Sequence, residues 1–94
     1  GNRIASTVFG HKKVYIVAGV NKICPDFDSA LYRARNVASV KNCKRFNKPT
    51  PCSIDDKCHD CMSPERICRA LTVLWMPING METEIVLIDE ELGM

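Results

Sequence analysis

Lys13–Gly19, KVYIVAG, runs directly into Val20–Val40, VNKICPDFDSALYRARNVASV, and the fold class turns on this stretch. A seven-residue β-rich run ends at a glycine, a short loop follows, and Pro25 and Asp26 then signal a helix start. Asp26 or Asp28 is placed to accept from the exposed amides of the first turn. Leu31, Ala34, Val37 and Ala38 recur at helical spacing while Arg33 and Arg35 point elsewhere, which predicts an amphipathic helix over about residues 27–40. Val14, Ile16 and Ala18 alternate with Tyr15 and Val17, so the strand looks apolar on both faces and reads as a central one. Strand, loop and helix in this order are the unit of an α/β layer.

Working outward, Arg3–Phe9 (RIASTVF) reads as a further strand, joined to Lys13–Gly19 through a Gly-containing turn in a hairpin. Downstream, Leu71–Ile78 and Thr83–Asp89 read as strands around Asn79-Gly80, a strong tight-turn signal, with Pro77 lacking a ladder donor. Pro49 and Pro51 are expected to stop regular structure. Ser63, Pro64 and Glu65 open a short helix in SPERICRA by cap, first-turn proline and helix-end charge. The expectation is therefore one domain over residues 1–94. It is an α/β fold with a mixed sheet of about four strands, one longer helix, and a cysteine-rich loop with a short helix.

The 94 residues are 46% apolar and 26% charged, ordinary for a soluble chain, and the net charge of +2 offers no hold on nucleic acid or an anionic membrane. The basic run KNCKRFNK, Lys41–Lys48, reads as a solvated loop. No stretch approaches the ~20 apolar residues of a membrane span, and no signal peptide is visible. The chain opens at Gly1, directly before a strand-like run, so a piece of a longer protein is expected.

Chemistry concentrates in PCSIDDKCHDCMSPERIC, Pro51–Cys68, where the spacing is Cys52-x5-Cys58-x2-Cys61-x6-Cys68. Four thiolates are enough for a tetrahedral zinc site or an iron–sulfur cluster, and Cys58 and Cys61 form the C-x-x-C step that reaches one ion from a tight turn. The match is partial, since a zinc ribbon brings two such steps and the ferredoxin spacing is absent. A C-x-x-C pair also supports thiol–disulfide cycling when one thiol is acidic, but Asp55, Asp56 and Asp60 would act the other way. Against both stands simple packing of small, half-buried side chains, which leads. A cysteine nucleophile would need His59 or His11 as its base. Long apolar strands make a disulfide scaffold unnecessary, so reduced, cytoplasmic thiols are expected. Gly19, Asn21 and Lys22 occupy the loop after a strand, where open α/β sheets bind ligands, and Lys22 would meet an anionic one.

Four segments, GNRIASTVFG, KKVYIVAGVNKICPDFDSALYRARNVAS, TPCSIDDKCHDCMSPERIC and TEIVLIDEELG, together resemble the LUD (lactate utilisation) domain family. More closely, they look like the C-terminal portion of stand-alone members with a cysteine-rich insert. The resemblance implies part of a NagB/RpiA/CoA transferase-like fold, that of the sugar-phosphate isomerase and CoA-transferase group. It further implies an accessory or regulatory role in oxidation of L-lactate to pyruvate, beside a partner protein carrying iron–sulfur clusters. It assigns no catalytic residue. If a half of the domain is missing, self-association would cover an exposed sheet edge or face. The competing readings are a zinc or iron–sulfur module without catalysis, at Cys52, Cys58, Cys61 and Cys68, and a metabolite-binding enzyme domain around Asn21.

Overall fold

The computed structural model describes residues 4–94. Its helices are α1 (Ile4–Val8), α2 (Phe27–Arg33), α3 (Ser39–Arg45) and α4 (Pro51–Asp55), and its strands are β1 (Lys13–Gly19) and β2 (Glu82–Ile88). Two compact units emerge: Gly1–Lys22 with Ala70–Gly93, and Ile23–Arg69 with Met94.

In the first unit β1 pairs in parallel with β2, from Lys13 opposite Glu82 to Gly19 opposite Ile88. The entry is fixed by charge, with Lys13 Nζ 2.8 Å from Glu84 and 3.6 Å from Glu82, while the Glu82 N–H donates to Lys12 O at 2.9 Å. Val14 and Met81 are the buried apolar residues here.

The expected four-strand sheet is not found: two strands form among the described residues. Arg3 of the expected first strand lies outside those residues, and Ile4–Val8 is a single helical turn. A β-rich run becomes a strand only with a ladder partner, and a helical turn satisfies its own amides without one. Leu71–Ile78 is irregular as well. Asn79-Gly80 does form a turn, closed by Met81 N–H to Ile78 O at 3.0 Å. Only Gly80, at φ 79°, has positive φ there, so the turn is type II in character. A two-residue hairpin needs the primed turns, whose twist matches paired strands, so the chain is delivered to β1 instead. Nor is β1 covered on both faces: Tyr15 and Val17 are 59% and 60% exposed.

In the second unit a continuous helical run spans residues 27–45, beginning where expected. Asp26 Oδ1 caps it by accepting the Ser29 N–H at 2.7 Å. The run continues five residues past the expected end and contains a π segment, Ala34–Ala38. There Ser39 Oγ donates to Ala34 O at 2.8 Å, a second donor to the carbonyl that already accepts the Ser39 N–H in the wider turn. The end is a Schellman motif: Lys48 N–H reaches Cys43 O, Asn47 N–H reaches Lys44 O, and Asn47 takes the left-handed conformation at φ 49°. Pro51, expected to break structure, instead starts α4 at its first turn, where its missing N–H costs nothing.

The core of this unit joins α3 to α4 through Val40, Cys43 and Cys52, with Ile67 packed against them. Thr50 is buried beside it, its Oγ1 3.3 Å from Cys52 Sγ. The helix expected from Ser63 is one turn only, Arg66 N–H to Ser63 O at 3.0 Å. The carbonyls that would continue it are taken by arginine side chains: Arg69 donates to Arg66 O and Pro64 O at 2.8 and 2.7 Å. The basic run is less free than expected, with Lys44 bound to Asp56 and Lys48 to Glu65.

Candidate functional site

All six cysteines are free thiols. Among the described residues the four whose convergence a metal site needs form no such group. Cys52 lies in the core with Cys43, which stands outside the four-cysteine spacing, and burial pushes its thiol up, the Thr50 hydroxyl opposing and Cys43 and Cys61 reinforcing the effect. Cys58 lies against Arg35. Among the described residues no group of three or more His, Cys, Asp or Glu side chains is arranged to hold a metal ion. The spacing alone allows a tetrahedron, but α4 commits Cys52 to the core, and arginines hold the loop beyond it.

That loop is organised by Asp60 and Arg66. Asp60, at φ 48°, is one of the residue types that tolerate the left-handed region. Its Oδ1 accepts from Arg35 at 2.9 Å and from Arg66 at 3.0 Å. These hydrogen bonds and charges hold the Asp60 carboxyl below the usual carboxylate range. Arg66 also donates to Cys61 O at 2.7 Å and Cys68 O at 2.9 Å, so one planar guanidinium closes both ends of the Cys61–Cys68 segment.

Cys58 is half-buried, and two neighbouring residues of the π segment attend to it. Asn36 Oδ1 accepts the Cys58 N–H at 3.1 Å, while Asn36 Nδ2 donates to Tyr32 O at 3.4 Å. The Arg35 guanidinium lines the same cleft as Cys58, and its charge acts on the sulfur. Burial alone would push this thiol up and Asp60 adds to that. The Asp60 N–H and the Arg35 charge outweigh both, and the thiol is more acidic than an ordinary cysteine. The expected opposition of the aspartates is outweighed: Asp60 still acts against the thiolate by its charge, while Asp55 is engaged with His59 at 2.6 Å, Asp56 with Lys44 and Asp60 itself with two arginines. Cys58 also lines a cleft of about 250 Å³ with Asp28, Leu31, Tyr32, Arg35 and Asn36.

His59 turns to Asp55 and His11 Nε2 donates to Ser6 O at 2.7 Å, so neither imidazole is placed as a base for a cysteine by these bonds. Gly19, Asn21 and Lys22 do come together, at the end of β1 and in the 3₁₀ turn Val20–Lys22. Two of them have a visible structural task. Asn21 Oδ1 accepts the Leu92 N–H at 3.2 Å, and Gly19 lets the backbone of Glu90 and Leu92 approach where a Cβ would stand. No helix of the described residues is long and apolar enough to cross a membrane.

A family model described as LUD domain matches residues 1–88. No curated protein and no solved structure matches the chain.

Proposed function

The chain belongs to the LUD domain family, and from that premise we propose that it is an accessory or regulatory domain in L-lactate oxidation and the associated electron transfer. The single observation supporting this is the match over nearly the whole chain to a lactate-utilisation-related family. The oxidation removes two reducing equivalents from the hydroxyl-bearing carbon of L-lactate, and the proposal assigns their transport to an iron–sulfur partner protein. The domain's task is to bind that partner or set its activity. The reading gives this chain no catalytic residue. It places the domain in the cytoplasm, where lactate is consumed.

The test is genetic and then biochemical. With the coding sequence deleted from its host, L-lactate consumption and pyruvate formation should fall, and re-expression should restore them. An unchanged rate on lactate as carbon source would sink the reading. Affinity purification of the tagged protein from lactate-grown cells should bring down a brown partner absorbing broadly near ~400 nm; a colourless preparation without an iron-containing protein removes the partner.

A further inference from the structure

β1 stands at the edge of its sheet but is built like an inner strand. Among the described residues β2 is its one ladder partner, and no backbone hydrogen bond reaches the outward N–H and C=O groups of Val14–Ala18. Edges are ordinarily blunted by charge, proline or a bulge, because a bare one is a template for another strand. β2 has that protection in Glu82 and Glu84, whereas Val14–Ala18 carries no charge and no proline. The two ends of the bare edge differ in sign. Lys12 precedes the strand. At its far end the tail lies against Gly19, with Glu90 O and Leu92 N where a Cβ would stand, and this tail carries Asp89, Glu90 and Glu91. All four charged side chains are exposed and form no ion pair among the described residues, while Lys13 is tied to Glu84.

We propose that this edge takes a second copy of the chain, β1 against β1, antiparallel about a two-fold axis at Ile16. The inference does not rest on the lactate reading. Ile16 is the middle residue of the strand, so centring the pair there uses its whole length. Ile16 then faces its own counterpart, Val14 faces Ala18, and Tyr15 faces Val17. The last is an aromatic–β-branched pair, a favourable cross-strand combination, and symmetry makes it twice. The same register carries Lys12 of each copy to the Gly19 end of the other, beside the free carboxylates of the tail. The edge of β2 offers the opposite. Antiparallel pairing there about Ile85 would bring Asp89, Glu90 and Glu91 towards Glu82 and Glu84 of the second copy, like charge against like. Charge therefore selects β1. A two-fold contact of this kind closes on itself and stops at a dimer. Side-by-side pairing leaves the faces of the sheet uncovered.

The experiment is sedimentation of the full chain from micromolar to submillimolar concentration at low salt. The mass should rise from the 10.5 kDa of one chain towards twice that value and go no further, and added salt should weaken the association. Lys12→Glu should raise the dissociation constant about tenfold, since two symmetric attractions become repulsions, and Glu90→Lys with Glu91→Lys should do the same. Mixed one to one, the two variants should recover the wild-type affinity, because each then meets the opposite charge at both ends. All three changes lie at exposed positions, and the wild-type measurement needs no variant to fold. Amide exchange of Val14–Ala18 should slow as concentration rises while that of β2 stays constant. A chain that remains monomeric throughout leaves the edge to an extended segment of some other protein and overturns the proposal. Assembly beyond two copies overturns the two-fold register. A dimer that ignores the charge reversals, or that protects β2 instead, overturns the choice of edge.

Discussion

Thr83 Oγ1 is buried without a hydrogen-bond partner among the described residues, opposite Val14 in the parallel ladder. A hydroxyl removed from water without compensation is a net cost, and valine has nearly the same shape and a better strand preference. Thr83→Val should therefore stabilise the protein by about 1 kcal/mol, read as a rise in the urea midpoint with an unchanged slope. Gly19 is the reverse case. A Cβ there would meet the backbone of Glu90 and Leu92, which cannot step aside as a side-chain tip would. Gly19→Ala should cost about 1–3 kcal/mol by the same measurement. Wild-type stability in that variant would show that the tail packs elsewhere. Neither effect was legible in the sequence, where Gly19 looked like a ligand loop and Thr83 like any strand residue. Both depend on what the fold brings alongside them.

Among the elements, the long helix was the most legible at its start and the least at its end. Pro25-Asp26 announces its cap by local chemistry, whereas Asn47 ends it through a conformation that several residue types adopt without leaving a pattern. The bounds of β1 were read correctly because Val14–Val17, four β-favouring residues in a run closed by glycine, need no distant information. Arg3–Phe9 and Leu71–Ile78 carry similar composition, and their described residues form no strand, since pairing is settled by partners remote in sequence. The site divides in the same way. Cys58 was legible as a thiol, but Asn36 lies 22 residues away and reaches it only through the π segment, which no periodicity reveals. The Asp26 cap makes a prediction of its own. Accepting the Ser29 N–H holds its carboxyl below the ordinary range, so this contribution is present above the unfolded value near pH ~4 and is lost as pH falls through the folded one. Asp26→Asn should keep the helix and flatten the acid limb of stability below pH ~4, while Asp26→Ala should weaken the helix at neutral pH, both followed by circular dichroism.

On the scale of the whole molecule, apolar side chains remain on show in both units. In the first, Tyr15, Val17, Ile85, Leu87 and Trp75 are all exposed, the tryptophan to 84%. Parallel strands ordinarily have both faces covered, so such a surface is one that binds apolar dyes and other proteins. The native protein should brighten anilinonaphthalene sulfonate at neutral pH and lose that signal in urea. A folded protein that leaves the dye dark would place these side chains in a self-associated interface, which sedimentation velocity would register. Trp75 fluorescence should be readily quenched by acrylamide in the native state and should report unfolding poorly.

The pairing of β1 with β2 has a consequence for how the chain reaches this structure. Its two partners stand on either side of the helical unit in the sequence, so no register contact can form until that entire intervening length has been drawn in. Closure of so long a loop is entropically slow, whereas the turns of residues 27–45 need only their neighbours. Pulse-labelled amides of the helices should thus acquire protection before those of Lys13–Gly19 and Glu82–Ile88. Simultaneous protection would mean that the ends find each other at the outset.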